Sequence, residues 1–227
     1  MSSNRFIISL GGSLIVPDEI EVNFLREFKE LIEREASKGK QFILITGGGR
    51  TSRRYTSAAK ELGDLTPEDL DWLGIHTTRL NGHLLRTIFR EIAHKEIITN
   101  PETKLIAEEP VVIAAGYRPG YSTDNLAVMF ARQFSADVVL NLSNIDYVYD
   151  KDPKQNPDAK PIKTISWHEF RKIVGNKWDP GAHLPFDPVA SKNAEEFGLR
   201  VVIMNGKNIT NLRNFLEGQS FQGTVIE

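Results

Sequence analysis

The chain has 227 residues, enough for one domain with a sizeable core, and its 40% hydrophobic and 26% charged content is that of an ordinary globular protein. A net charge of −2 argues against a dedicated nucleic-acid binder, which carries a basic excess to neutralise phosphates. The lack of cysteine excludes disulfides, thiolate catalysis and cysteine-bound zinc and points to a reducing cytoplasm, while no secretory signal is visible and no apolar run approaches the ~20 residues that span a bilayer.

Short β-branched runs alternate with amphipathic stretches. "RFIISL" ends at Gly11-Gly12 and predicts a strand; Val22 to Ser37 follows, with Phe24, Leu25, Phe28, Leu31 and Ile32 at helical spacing and Gly39 as a stop. "QFILIT" predicts a second strand that runs into Gly47. Thr66-Pro67-Glu68-Asp69 reads as a helix cap, a first-turn proline and an acidic start, opening a helix that carries Leu70, Leu73, Thr77, Leu80 and Leu84. "PVVIAA", "ADVVLNL" and "LRVVIM" predict three more strands, and Asp187-Pro188 opens a helix closed by Gly198. Runs that are apolar nearly throughout fit strands covered on both faces, so the expected fold class is α/β, a three-layer sandwich with a largely parallel sheet and helices on both faces. Asp150 to Pro161 reads as a solvated, proline-punctuated loop, and Gly175 to Pro188 as an irregular stretch long enough to be a flap. The histidines at 76, 83, 94, 168 and 183 show no metal-ligand spacing.

Three strand ends run into glycine-rich turns followed by helices: "GGSL" at Gly11, "GGGRTSRR" at Gly47 and "AGYRPGYSTD" at Ala115. Ligands of open α/β sheets bind outside the carboxyl ends of the strands. Glycine lets backbone N–H groups approach a ligand, and a helix starting there favours an anion. Arg50, Arg53 and Arg54 add charge and forked donors, so the pattern points to phosphate. Neither a Walker A sequence nor a clean G-x-G-x-x-G is present, and the protein-kinase signatures are missing.

The stretches "ISLGGSLIVP", "GGGRTSRRY", "DLDWLGIHTTRLNGHLL", "PGYSTDNLAVMFA", "LSNIDYVYDKDPKQNPDAK" and "FDPVASKNAEEFG", taken in this order, resemble the amino-acid-kinase superfamily, and within it the uridylate (UMP) kinases of the archaeal type. The resemblance implies a single domain over 1–227, with an acceptor-binding lobe over about 1–135 and an ATP-binding lobe over about 136–227. It implies ATP-dependent phosphorylation of UMP to UDP, magnesium arriving with ATP, no protein-built metal cage, no nucleic-acid or membrane partner, and a homo-oligomer, hexamer or dimer. A kinase for another small acid or phosphate, an oxyanion-storage protein and a nucleotide sensor stay open as alternatives at this point.

Residue by residue, the resemblance puts Lys192, Asp124 and Arg53 at the centre of catalysis. Gly11, Gly12, Ser13, Gly48 and Arg53 would follow the ATP phosphates, with Asn144, Asp146, Tyr149 and Asp152 around its base and ribose. On the UMP side would stand Gly47, Asp71 and Gly74, then Tyr117, Arg118, Pro119, Gly120, Tyr121, Ser122 and Thr123, with Asp71 on the ribose hydroxyls and Arg118 near the acceptor phosphate. The chain departs from the superfamily pattern at Ser9, where many members carry lysine, at Ala115 and Tyr147, which replace glycines, and at Tyr117-Arg118, where smaller residues are common.

Overall fold

The five mutually parallel strands of the central sheet point their carboxyl ends to the same edge of the molecule, and the glycine turns lie along that edge. A computed structural model of the chain describes residues 4–153, 155–175 and 184–227. Most of the proposed flap, and His183, fall outside the described residues.

The first half comprises β1 (Arg5–Leu10), α1 (Gly12–Ile15), α2 (Val22–Ser37), β2 (Gln41–Thr46), α3 (Gly49–Leu62), α4 (Pro67–Ile88), β3 (Val111–Ala114) and α5 (Thr123–Gln133). The second half comprises β4 (Val138–Ser143), the short strands β5 (Val148–Tyr149), β6 (Pro161–Ile162) and β7 (Thr164–Ile165), then α6 (Trp167–Val174), α7 (Pro188–Glu196), β8 (Arg200–Asn205), α8 (Ile209–Leu216) and β9 (Thr224–Ile226). The seven-stranded sheet has the order β3-β2-β1-β4-β8-β9-β7. β3, β2, β1, β4 and β8 are mutually parallel, whereas β9 pairs antiparallel with β8 and β7 parallel with β9, so these last two run opposite to the other five. Leu10 aligns with Thr46 and Leu142, and Leu142 with Met204, so the strands end in register.

Alternation within the strands divides the core between the two faces. Ile8, Leu10, Leu44, Leu140 and Met204 pack under α2, α8 and the end of α4. Ile7, Ile43, Ile45, Val139 and Ile203 pack under α5, α6 and α7. The sheet is therefore the middle layer of a three-layer α/β sandwich, as the apolar runs predict.

Helix α2 presents Phe24, Leu25, Phe28, Leu31 and Ile32 to the sheet, and each such burial contributes about 1.5–3 kcal/mol. Thr66 caps α4 in a reciprocal capping box with Asp69, and Pro67 occupies the first turn. Asp187 caps α7 by accepting from the Ala190 N–H at 2.6 Å. The described residues between Tyr149 and Pro161, 150–153 and 155–160, form an irregular loop that closes where those two residues pair.

Candidate active site at the carboxyl edge of the sheet

The first two glycine turns press backbone against backbone. A side chain on Gly12 would come within 2.0 Å of the Gly49 nitrogen, and Gly49 itself has φ +66. Only glycine fits this contact, which brings the start of α3 against the Gly11-Gly12 turn. The Gly47 N–H donates to the Leu10 carbonyl at 3.0 Å, and the Gly11 N–H to Leu142 at 2.9 Å, so both turns continue the sheet.

The three arginines after the glycines separate. Arg50 and Arg54 turn to Asp18, at 3.1 and 2.6 Å. Arg53 makes no ion pair among the described residues and faces a cavity of about 280 Å³. Helices α3 and α4 and the third turn bound it: Ser52, Arg53, Thr56 and Lys60 from α3; Leu70, Asp71, Gly74, Ile75 and Thr78 from α4; Gly116, Tyr121 and Thr123 from the turn and the start of α5. Asp71 accepts the Gly120 N–H at 2.8 Å through Oδ2.

Next to this cavity, in the first turn of α5, stands Asp124. Its Oδ1 accepts from Ser9 Oγ at 3.2 Å and from Asn141 Nδ2 at 3.4 Å; its Oδ2 accepts from the Asp187 backbone N–H at 3.2 Å. Burial and then the neighbouring Asp187 carboxylate push Asp124 up to about 7, against the downward pull of the bonds from the Asp187 N–H and Ser9. Burial likewise raises Asp187, whose side chain is 6% exposed as a residue, despite its bond from the Ala190 N–H. Two withdrawn carboxylates thus sit together, and neither has a salt-bridge partner among the described residues.

Lys192 lies on α7, one helix packed on α5 through Asn193, which donates to Asn125 at 2.8 Å. Its side chain is 60% exposed and its Nζ stands 3.7 Å from Glu196, a solvent-facing pair rather than a bond to Asp124. Arg118 also turns outward. Its guanidinium stacks over Tyr117 and Tyr121, 5.0 and 5.5 Å from the ring centroids, and reaches Glu102 at 3.5 Å. Arg118 is therefore absent from the cavity wall, because a carboxylate and two ring faces hold it outside. Tyr117 shares Glu102 with it, at 3.4 Å.

The remaining predicted positions extend the same edge. Ser122 caps α5 by accepting the Asn125 N–H at 3.1 Å. Asp146 accepts from Asn205 at 2.9 Å, which places the loop after β4 against the end of β8. Tyr149 lies in β5, and the Asp152 carbonyl accepts from Asn156 at 2.9 Å, opening the following turn. Pro119 sits between the Arg118 and Gly120 contacts. Ser9, noted in the sequence only as a departure from the usual lysine, donates to Asp124; Asn141 and Asp187 around Asp124, and Lys60 and Thr78 on the cavity wall, are additions that the sequence reading lacks. Of these only Asp187 carried a local signal, its helix cap. A larger hollow of about 600 Å³ lies at the opposite, amino edge beside Phe6, Lys40, Arg200 and Phe221. Size does not select the site, since the glycine turns and the carboxylate pair belong to the carboxyl edge.

The sequence profile of the amino acid kinase family matches residues 4–205. A uridylate kinase of Sulfurisphaera tokodaii is 30% identical over 227 residues, covering 98% of this chain and 99% of that protein. A uridylate kinase of Thermoplasma volcanium is 32% identical, covering 99% and 98%. Among solved structures, the crystal structure of uridylate kinase from Archaeoglobus fulgidus superposes with a TM-score of 0.82 at 30% identity, covering 98% of this chain and 99% of that one.

Proposed function

This chain belongs to the amino acid kinase family, and from that premise we propose that it is a UMP kinase, moving the γ-phosphoryl group of ATP to UMP and releasing ADP and UDP. The observation that carries this reading is the cavity between α3, α4 and the third turn, with Arg53, Asp71 and Thr123 on its wall, beside the packed glycine turns. Full-length relatives that bear the name uridylate kinase support it over storage or sensing.

The chemistry asks for placement more than for covalent help. One oxygen of the UMP phosphate attacks the γ-phosphorus of ATP, and the bond from that phosphorus to the β,γ-bridging oxygen breaks. The acceptor is already an anion at neutral pH, so no strong base is needed. The protein must hold two polyanions in line and neutralise charge on the moving group. Arg53 supplies a forked cation on the acceptor side. The glycine turns bring backbone close to the donor phosphates. Asp71 has its Oδ2 occupied by the Gly120 N–H, which leaves Oδ1 to accept from ribose hydroxyls. Asp124 orders the end of β1, the start of α5 and the start of α7 around the centre, and Lys192 is carried on the last of these.

Magnesium enters as part of the ATP substrate, where it supplies charge neutralisation. Among the described residues no group of three or more His, Asp or Glu side chains is placed to hold a metal. Cytoplasmic residence and assembly into a hexamer or dimer belong to the same proposal. Trp72 and Leu80, both exposed on α4 and eight residues apart, support a partner subunit there. No described helix is long and apolar enough to cross a membrane.

Incubating the protein with ATP, magnesium and each nucleoside monophosphate, and following ADP release, tests the reading. Release with UMP far above that with CMP, AMP or GMP is expected. Equal release with every acceptor, or none with any, contradicts it.

A further inference from the structure

The third turn, from Ala115 to Ser122, has no regular secondary structure, yet it forms one wall of the acceptor cavity. Its backbone groups need partners, and a helix supplies them. The Gly116 N–H donates to Thr78 Oγ1 at 2.8 Å. Thr78 in turn donates to the Ile75 carbonyl at 2.7 Å, which fixes its lone pair towards Gly116. Arg79 donates from Nε to the Gly116 carbonyl at 3.1 Å and from Nη2 to the Tyr117 carbonyl at 3.0 Å. Asp71 takes the Gly120 N–H. Consecutive faces of α4 therefore grip both ends of the turn, and a side chain on Gly116 would meet Thr78 Oγ1 at 2.8 Å, so helix and turn meet without a gap.

Arg79 has a distinct part in this. It makes no ion pair among the described residues, and its planar fork spans two successive carbonyls, a geometry that an ammonium cannot copy. It does not line the cavity, whereas Gly116, Tyr121 and Thr123 do. We propose that Arg79 is a positioning residue for the acceptor: by bridging the Gly116 and Tyr117 carbonyls it holds the third turn in the shape that binds the acceptor nucleotide. The identity of that acceptor as UMP rests on the function proposed above; the clamp itself does not.

Two readouts separate these layers. Hydrogen exchange of the Gly116 and Gly120 amides, measured without any substrate, should quicken about tenfold or more in Arg79→Ala while exchange in β1 and β4 stays as in the wild type. In wild-type protein that turns over UMP, Arg79→Ala should raise KM for UMP about ten- to thirty-fold, with KM for ATP unchanged and kcat reduced less than about threefold. Arg79→Lys, which reaches one carbonyl, should fall between the two and serves if the alanine variant does not fold. Unchanged exchange in the turn overturns the inference whether or not UMP is the acceptor. So does a joint rise in both KM values with a lowered Tm, which marks a general loss of fold. A wild type that ignores UMP but shows the local exchange effect would sink the kinase reading and leave the clamp standing.

Discussion

Glu35 and Asp124 are both carboxylates withdrawn from water, at opposite edges of one sheet, and they are held in opposite ways. Glu35, near the end of α2 at the amino edge, is 0% exposed, and it accepts from Lys38 at 2.7 Å and from Lys40 at 2.6 Å. Burial alone would raise it, but the hydrogen bonds from Lys38 and Lys40 outweigh burial and hold it at about 2. Lys40 is fixed further by donating to the Leu216 carbonyl at 2.6 Å. Asp124 has hydroxyl, amide and backbone donors but no cation among the described residues, and it faces a second carboxylate. A fold selected only for stability pairs such a group, as it does Glu35. An acid kept close to another acid, at the edge where the glycine turns meet, marks a place built for a charged guest.

The largest expected effect comes from breaking the Asp124 side of this contrast. Asp124→Asn should lower kcat about 1,000-fold, because the centre loses the charge that orders it, while Tm stays level or rises as a buried charge disappears. Steady-state kinetics and a thermal melt on the same preparation check both halves. Glu35→Ala should do the reverse. It leaves Lys40 without its carboxylate and should cost about 3–5 kcal/mol of stability, read by urea unfolding, while kcat of the folded fraction stays within about twofold of wild type.

Lys192→Ala should lower kcat about 100-fold with UMP affinity nearly intact, measured by turnover and by UMP titration. A fully active variant would remove Lys192 from the chemistry and leave it as the exposed partner of Glu196.

The two acids also predict opposite pH slopes. Asp124 is raised from 3.8 to about 7 in the folded state, so between those values the folded chain binds more protons than the unfolded one, and the Asp124 contribution to stability falls as pH rises from about 4 to about 7. Glu35 is lowered from 4.5 to about 2, so its contribution is present above pH 4.5 and is lost as pH falls towards 2. Unfolding free energies measured from pH 4 to 7 should therefore slope less steeply downward in Asp124→Asn than in wild type. The smallest effect is expected at Arg118, where Arg118→Ala should change KM for UMP less than about threefold, since Glu102 and the two tyrosines hold the side chain outside the cavity.

Local pattern made much of this legible in advance. The strands over 5–10 and 41–46, the helix over 22–37 and the cap at Thr66 are written in runs of neighbouring residues, where apolar period and capping chemistry act directly. Arg53, Asp71, Gly74, Tyr121 and Thr123 were also within reach, and they meet on one cavity wall. The short strands β5, β6, β7 and β9 were not, because two- and three-residue pairings depend on what lies beside them and carry no period. The Asp124 surroundings were hidden for the same reason: Ser9 lies 115 residues away in sequence and Asp187 63 residues away, and only folding brings them together. Arg79 carries no local signal, because the Gly116 and Tyr117 carbonyls that it bridges lie 37 and 38 residues away in sequence. Arg118 shows the converse, since a cation beside a predicted site in sequence turned to a carboxylate that the sequence did not place.

The most direct measurement follows the phosphoryl group itself. In a single turnover with ATP labelled at the γ-phosphate, excess protein, magnesium and UMP, the label should move into the β-position of UDP and nowhere else. Label that stays in ATP, or that leaves as inorganic phosphate at the same rate with and without UMP, would contradict transfer between two nucleotides at this edge of the sheet.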